Sequence, residues 1–260
     1  MNFREFNFKT AMQLASYITN EWNPSAFFES KDNEFLKKIL TPNKKTLLHD
    51  YIEFIHKDEL DYAIRKTGYE CIIDNVVDAL LFYKIDYPDM TEKEENDIEL
   101  KEEYYWKLIE LYYKLTPIIV EETFTILYLD KGLLKEFNES ISVIIKDMKT
   151  DKYKRYLEKD GVVKRCTNLS KWLKNGVFFR DKGRCQICGK DLTCLLSTDD
   201  KIKYDYIVPL EQGGSNDPSN FQLICESCNT AKGARFIITK NLIPLFWRHA
   251  HNGMATFIGK

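Results

Sequence analysis

No apolar run in this chain approaches the roughly 20 residues needed to cross a bilayer. Its first ten residues, MNFREFNFKT, break their apolar positions with Arg4, Glu5 and Lys9, so the uninterrupted core of a secretory signal is missing. We therefore expect a soluble, cytoplasmic protein with no membrane partner. Internal repeats and low-complexity tracts are absent too, which removes solenoid and collagen-like architectures. Histidine is scarce, with four copies in 260 residues, so few imidazole bases exist for any catalytic site. With 44% hydrophobic residues and 38 Lys+Arg against 40 Asp+Glu, the chain has material for a real core and no excess charge of one sign.

That balance conceals a division. Residues 1–150 carry 19 basic and 29 acidic side chains, whereas residues 151–260 carry 19 and 11. The front is acidic, and the back has the kind of charge that attracts phosphates.

From Phe3 to about Met148 the apolar residues recur at helical spacing, with few alternating runs that strands would need. The pattern predicts helices over 46–65 and 70–83, one from Thr91 to Pro117, and one over 131–148. Breaks fall at Asn23-Pro24, Thr41-Pro42-Asn43 and around Pro88. About six helices in a bundle-like arrangement are expected. The 104–115 stretch is apolar on most sides, which suits a central or interface helix. Residues 149–184 turn basic, with an Asp160-Gly161 turn and a helix predicted over 169–179; a solvated linker is the commoner fate of such a run.

Of seven cysteines, Cys71 and Cys166 stand alone, while Cys185, Cys188, Cys194, Cys225 and Cys228 crowd into the last third. Cys185-Gln186-Ile187-Cys188 and Cys225-Glu226-Ser227-Cys228 are matched pairs with 36 residues between them. Two residues between cysteines let both thiolates reach one ion, and two such pairs complete a closed tetrahedral zinc shell. A shell of that kind supplies folding energy. Cys194 is too far from either turn and is expected to be buried. Between the pairs, 201–210 alternates and reads as a strand, 211–220 as a loop, 221–224 as a second strand, and 227–235 as the start of a helix. The sum is an α+β protein: a helical, acidic domain over 1–150, then a basic segment and a ββα unit over 151–260.

These residues resemble a family. Phe178-Phe179-Arg180-Asp181, Gly183, the first cysteine pair, Asp205-Tyr206-Ile207-Val208-Pro209-Leu210, Gly213-Gly214, Asn220, Leu223 and the stretch from Cys225 to Gly233 are similar to the four-cysteine zinc branch of the HNH (His-Asn-His) endonucleases. The resemblance covers about 178–235. It implies a ββα-metal fold that grips DNA and cuts a phosphodiester with one divalent ion, Mg²⁺ or Mn²⁺. Asp205 matches the first-strand metal ligand, Asn229 the ligand on the helix, and Asn220 the residue that braces the loop. RNA is a further substrate class.

Tyr206 departs from the pattern, since the family has a general-base His there. An unperturbed Tyr is about one part in a thousand phenolate at pH 7. The position admits a natural loss of activity, an engineered substitution, a Tyr activated by its neighbours, or service by another histidine, of which only His49, His56, His249 and His251 exist. Lys232 and Arg235 on the helix, with Arg180, Lys182 and Arg184, are candidates for phosphate contacts. The rival reading is a catalytically inactive nucleic-acid-binding or scaffold module, a subunit of an antiphage or mobile-element complex, with residues 1–150 docking a protein partner.

Overall fold

The computed structural model describes residues 6, 8–20, 22–193 and 201–233. Its N-terminal part runs through α1 (Lys9–Asn20), α2 (Pro24–Phe27), α3 (Asn33–Leu40), α4 (Leu47–Thr67), α5 (Ile73–Phe82), α6 (Glu92–Asn96), α7 (Ile98–Tyr113), α8 (Thr116–Leu127), α9 (Lys131–Lys146) and α10 (Thr150–Tyr153). Capping side chains set most of these starts. Asn23, Asp32, Thr46, Thr91, Asp97 and Asp130 each accept a hydrogen bond from a backbone N–H in the first turn. Such a cap is typically worth about 1 kcal/mol.

Two of these starts differ from the sequence expectation. The helix expected from Thr91 to Pro117 is two helices, because Asp97 begins a new one by accepting from Glu99 N at 3.0 Å and Leu100 N at 3.2 Å. Pro117 lies in the first turn of α8, where a missing N–H costs nothing. On α7, Tyr104, Leu108 and Ile109 are buried, but Trp106 and Ile98 stand 45% and 78% exposed, so this helix is partly a surface element.

One apolar cluster is built on Ile18, Phe35, Ile39, Tyr51, Ile52, Leu108, Ile119, Phe137 and Ile141, and it extends past residue 150 to Leu157, Val163 and Ile207. Each such buried side chain contributes on the order of 1.5–3 kcal/mol against exposure. After α10 come a small hairpin of β1 (Leu157–Lys159) and β2 (Val162–Val163), turned at Gly161 with φ +68°, and then α11 (Lys171–Arg180). Next follow β3 (Ile202–Tyr206), β4 (Phe221–Cys225) and α12 (Glu226–Lys232). The fold is α+β. β3 and β4 pair antiparallel, with Asp205 opposite Gln222 and Tyr206 opposite Phe221. A second apolar cluster joins Leu173, Val177, Leu192, Tyr206, Phe221 and Leu223 to Cys185 and Cys225. The strand expected over 201–210 ends at Tyr206, and Pro209 leads into a 3₁₀ turn over Leu210–Gln212.

Hydrogen bonds cross residue 150 at buried positions. The Asp217 carboxylate accepts from Leu47 N, the first residue of α4, at 2.8 Å. Asn216 donates its amide to the carbonyls of Ile39, Leu40 and Lys164 at 3.2, 2.9 and 2.8 Å. Asp181 is fully buried in its side chain and takes the Lys131 ammonium at 2.5 Å, Arg180 Nε at 2.8 Å and Leu223 N at 2.7 Å. Burial, together with the neighbouring Arg180 charge, brings Lys131 down to about 7. Among the described residues no helix is long and apolar enough to cross a membrane.

Candidate metal and nucleic-acid site

The first cysteine turn closes through Gly189 N donating to Cys185 O at 2.8 Å and Cys185 N to Lys190 O at 2.9 Å, with Gly189 at φ +76°. Gln186 N donates to Leu223 O at 2.9 Å, which fastens this turn to β4. Cys225 ends β4, and Cys228 lies in the first turn of α12. As a result the sulfurs of Cys185, Cys188, Cys225 and Cys228 all lie within 4.8 Å of one another. Cys188 Sγ and Cys225 Sγ are 3.8 Å apart. That separation matches the edge of a tetrahedron with zinc–sulfur bonds of about 2.3 Å. Donor type, number and spacing therefore fit zinc. Burial pushes the Cys188 and Cys228 thiols up. Cys225, in spite of burial, is brought to about 7 by hydrogen bonds from Ser227 and Cys228. Cys194 lies outside the described residues.

The loop between β3 and β4 is clipped shut by Asn220. Its side chain, fully buried, accepts from Val208 N at 2.8 Å and donates to Val208 O at 3.0 Å and Ser215 O at 2.9 Å. A Cβ at Gly214 would stand 2.0 Å from Val208 O, so only glycine fits where the loop folds back on itself. This clip holds the end of β3, and Asp205 with it, beneath α12.

Asp205 meets a cation there. The Lys232 ammonium contacts both the Asp205 carboxylate and the Tyr206 carbonyl, and its side chain is 1% exposed. Lys232 was expected to face phosphates; it is instead buried against the partly exposed Asp205 carboxylate and the Tyr206 carbonyl. Asn229 is half-buried and one turn earlier on the same helix. Carboxylate and amide oxygens are hard donors, and Mg²⁺ commonly uses one or two carboxylates with water and phosphate completing its shell. In this structure the Asp205 carboxylate is paired with the Lys232 ammonium.

Tyr206 faces the other way. It is 3% exposed, its ring lies 4.8 Å from that of Phe221, and its hydroxyl donates to Asn216 Oδ1 at 2.8 Å. The Arg165 guanidinium sits 5.0 Å from the ring centre. Burial outweighs that charge and pushes the phenol up to about 12. His49 and His56 are both on α4, the former against Thr46 and Phe124, the latter against Tyr112. His249 and His251 lie outside the described residues, as does Arg235.

The remaining basic candidates divide by burial. Arg180 is 6% exposed; it pairs with Asp181, donates to the Phe221 carbonyl, and stacks 4.7 Å from the Tyr128 ring centre. Lys182 and Arg184 are exposed, beside the first cysteine turn. Sequence reasoning missed the ion pair of Lys232 with Asp205 and the role of Asn216. Neither has a spacing signal, since their partners lie 27 residues away for Lys232 and more than 170 for the Ile39 and Leu40 carbonyls.

A two-stranded sheet and a helix are thus closed at the base by four cysteines, with the Asp205 carboxylate against the helix. Residues 185–235 match the family model described as HNH endonuclease, so this part of the chain is similar to HNH endonuclease domains. Comparison with curated proteins and with solved structures gave no match.

Proposed function

We propose that this protein is a metal-dependent endonuclease acting on DNA phosphodiester bonds, slowed as it stands because Tyr206 occupies the general-base position. The observation that carries the reading is the Asp205 carboxylate under α12 with a cation already seated on it. A divalent ion bound there would polarise a phosphoryl oxygen and stabilise the leaving oxygen. Asp205 and Asn229 would hold that ion, and Mg²⁺ and Mn²⁺ are the natural occupants. Asn220 fixes the loop on which Asp205 depends. Lys182 and Arg184, both exposed, supply charge for phosphates. Tyr206 takes no proton from water in this reading, because its hydroxyl is already committed to Asn216.

That same commitment favours the second reading, an inactive nucleic-acid-binding or scaffold module in a larger complex. Cleavage of plasmid DNA with Mg²⁺ or Mn²⁺ by the protein as given and by Tyr206→His separates the two. Slow cutting that Tyr206→His accelerates and Asp205→Ala abolishes is expected for the nuclease. Absence of cutting by both, on single- and double-stranded DNA and RNA, would leave the binding module.

A further inference from the structure

From 161 to 184 the only acidic residue is Asp181. Its carboxylate is buried and taken up by Lys131 and Arg180, so it lends no negative charge to the surface. Over the same stretch Arg165, Lys171, Lys174, Lys182 and Arg184 are exposed. α11 lies within this basic run and has two unlike faces. Leu173 and Val177 are buried in the cluster of Phe221 and Leu223, and the buried Arg180 donates to the Phe221 carbonyl. β4, the strand paired with the one that bears Asp205, therefore holds the helix in place.

Apolar surface is left over on the outward face. Trp172 is 36% exposed and Phe179 59%. The two stand seven residues apart. That is two turns of helix, so both project from one side, about 10 Å apart along the axis. Phe178, its ring perpendicular to that of Phe179 at 5.9 Å, steadies the second of them. Asn175 and Gly176 lie between, both exposed, and a Cβ at Gly176 would meet nothing within 4 Å. Two rings thus flank low ground, with Lys171 and Lys174 alongside. A nucleic-acid strand meets both features at once, with phosphates for the cations and flat base faces for the rings. Paired bases in a duplex offer a protein only their edges, so rings of this kind stack where a strand is unpaired. We infer that the outward face of α11 binds an unpaired stretch of DNA, its bases stacked on Trp172 and Phe179 and its phosphates held by Lys171, Lys174 and Lys182. This rests on the reading of a DNA-acting protein but not on cleavage.

Fluorescence anisotropy of a labelled oligothymidylate and of a labelled blunt duplex, on the full chain without added Mg²⁺ or Mn²⁺, tests it. Phe179→Ala and Trp172→Leu should each weaken oligothymidylate binding about fivefold or more, the low end for one lost base stack, with the salt dependence unchanged. Duplex affinity should not move in either. Trp172→Phe, which keeps a ring, should retain most of the single-strand affinity. Lys174→Ala should weaken binding and flatten the log–log salt slope by about 0.7, the value for one phosphate contact on a single strand. Single-strand affinity unaltered in Phe179→Ala and Trp172→Leu, or lost equally on the duplex, would overturn the stacking face and leave a DNA-binding protein. Failure of the parent chain to bind either probe would remove the DNA reading along with it.

Discussion

The Tyr206 hydroxyl donates to Asn216 Oδ1 at 2.8 Å, and the amide of the same Asn216 donates to the carbonyls of Ile39 and Leu40 at the end of α3. Position 206 is thus tied to the helical part. Removing the hydroxyl alone, by Tyr206→Phe, should cost about 1 kcal/mol in denaturant unfolding. Any residual cleavage should be unchanged. Robust cleavage that disappears in Tyr206→Phe would show the phenol to be the base. Tyr206→His should raise cleavage, up to the roughly 10²–10⁴ that a positioned base contributes.

Elemental analysis of the purified protein should find about one zinc per chain. Cys185→Ser should remove the metal and unfold the ββα unit, because Cys185 is fully buried in the same cluster as Leu223 and Phe221. A zinc-free protein that keeps its native tryptophan and tyrosine spectrum would argue against this.

Lys232→Met removes the ammonium that neutralises Asp205. Without added metal the chain should lose about 3 kcal/mol, the lower end for breaking a buried pair, because the carboxylate retains 17% exposure. Mn²⁺ should restore that stability in proportion to its binding, and its affinity by electron paramagnetic titration should exceed that of the parent. Asp205→Asn should abolish the gain. If Mn²⁺ does nothing for Lys232→Met, Asp205 is not a cation ligand.

For nucleic acid, the exposed and buried arginines should separate. Arg184→Ala and Lys182→Ala should weaken DNA binding about equally across sequences and reduce its salt dependence. Arg180→Ala should instead unfold the protein at lower denaturant, since it leaves Asp181 and Lys131 to balance a buried site between them. An effect of Arg180→Ala confined to DNA affinity would contradict the burial of that side chain.

His56 gives an acid limb to stability. Its proton affinity is depressed from 6.5 in the unfolded chain to about 4 in the folded one. The unfolded state therefore binds more protons between those values, and folding stability is full above pH 6.5 and declines as pH falls toward 4. The loss amounts to at most about 3 kcal/mol. Unfolding curves of the parent and of His56→Phe should converge in pH dependence above 6.5 and diverge below it.

Much of this architecture was legible because the informative signals are local. Paired cysteines announce their ion, and Thr91 with Glu94 announces a helix start that the structure reproduces as a reciprocal capping box. Pro117 was misread because proline ends one helix and begins another with equal ease, and no local feature distinguished the two. The interior of the site was illegible for another reason. A lysine on a helix after two cysteines looks like a phosphate contact until β3 is laid beneath it, and an Asn-Asp pair in a loop looks like a turn until it meets α3 and α4. His56 could be flagged only as one of four histidines; its burial is a property of the packed helices around it.

The bond from Leu47 N to Asp217 joins residues 170 positions apart. Chains emerge from the ribosome at roughly 5–20 residues per second, so the start of α4 would wait on the order of 10–30 s for the carboxylate that satisfies it. Through that interval the helical part must persist with open polar groups at Leu47, Ile39 and Leu40. Completion of the β3–β4 loop is then the event that closes the fold. Contacts of such sequence separation also slow refolding, and they give a nascent chain a long window in which chaperones act before any metal unit exists.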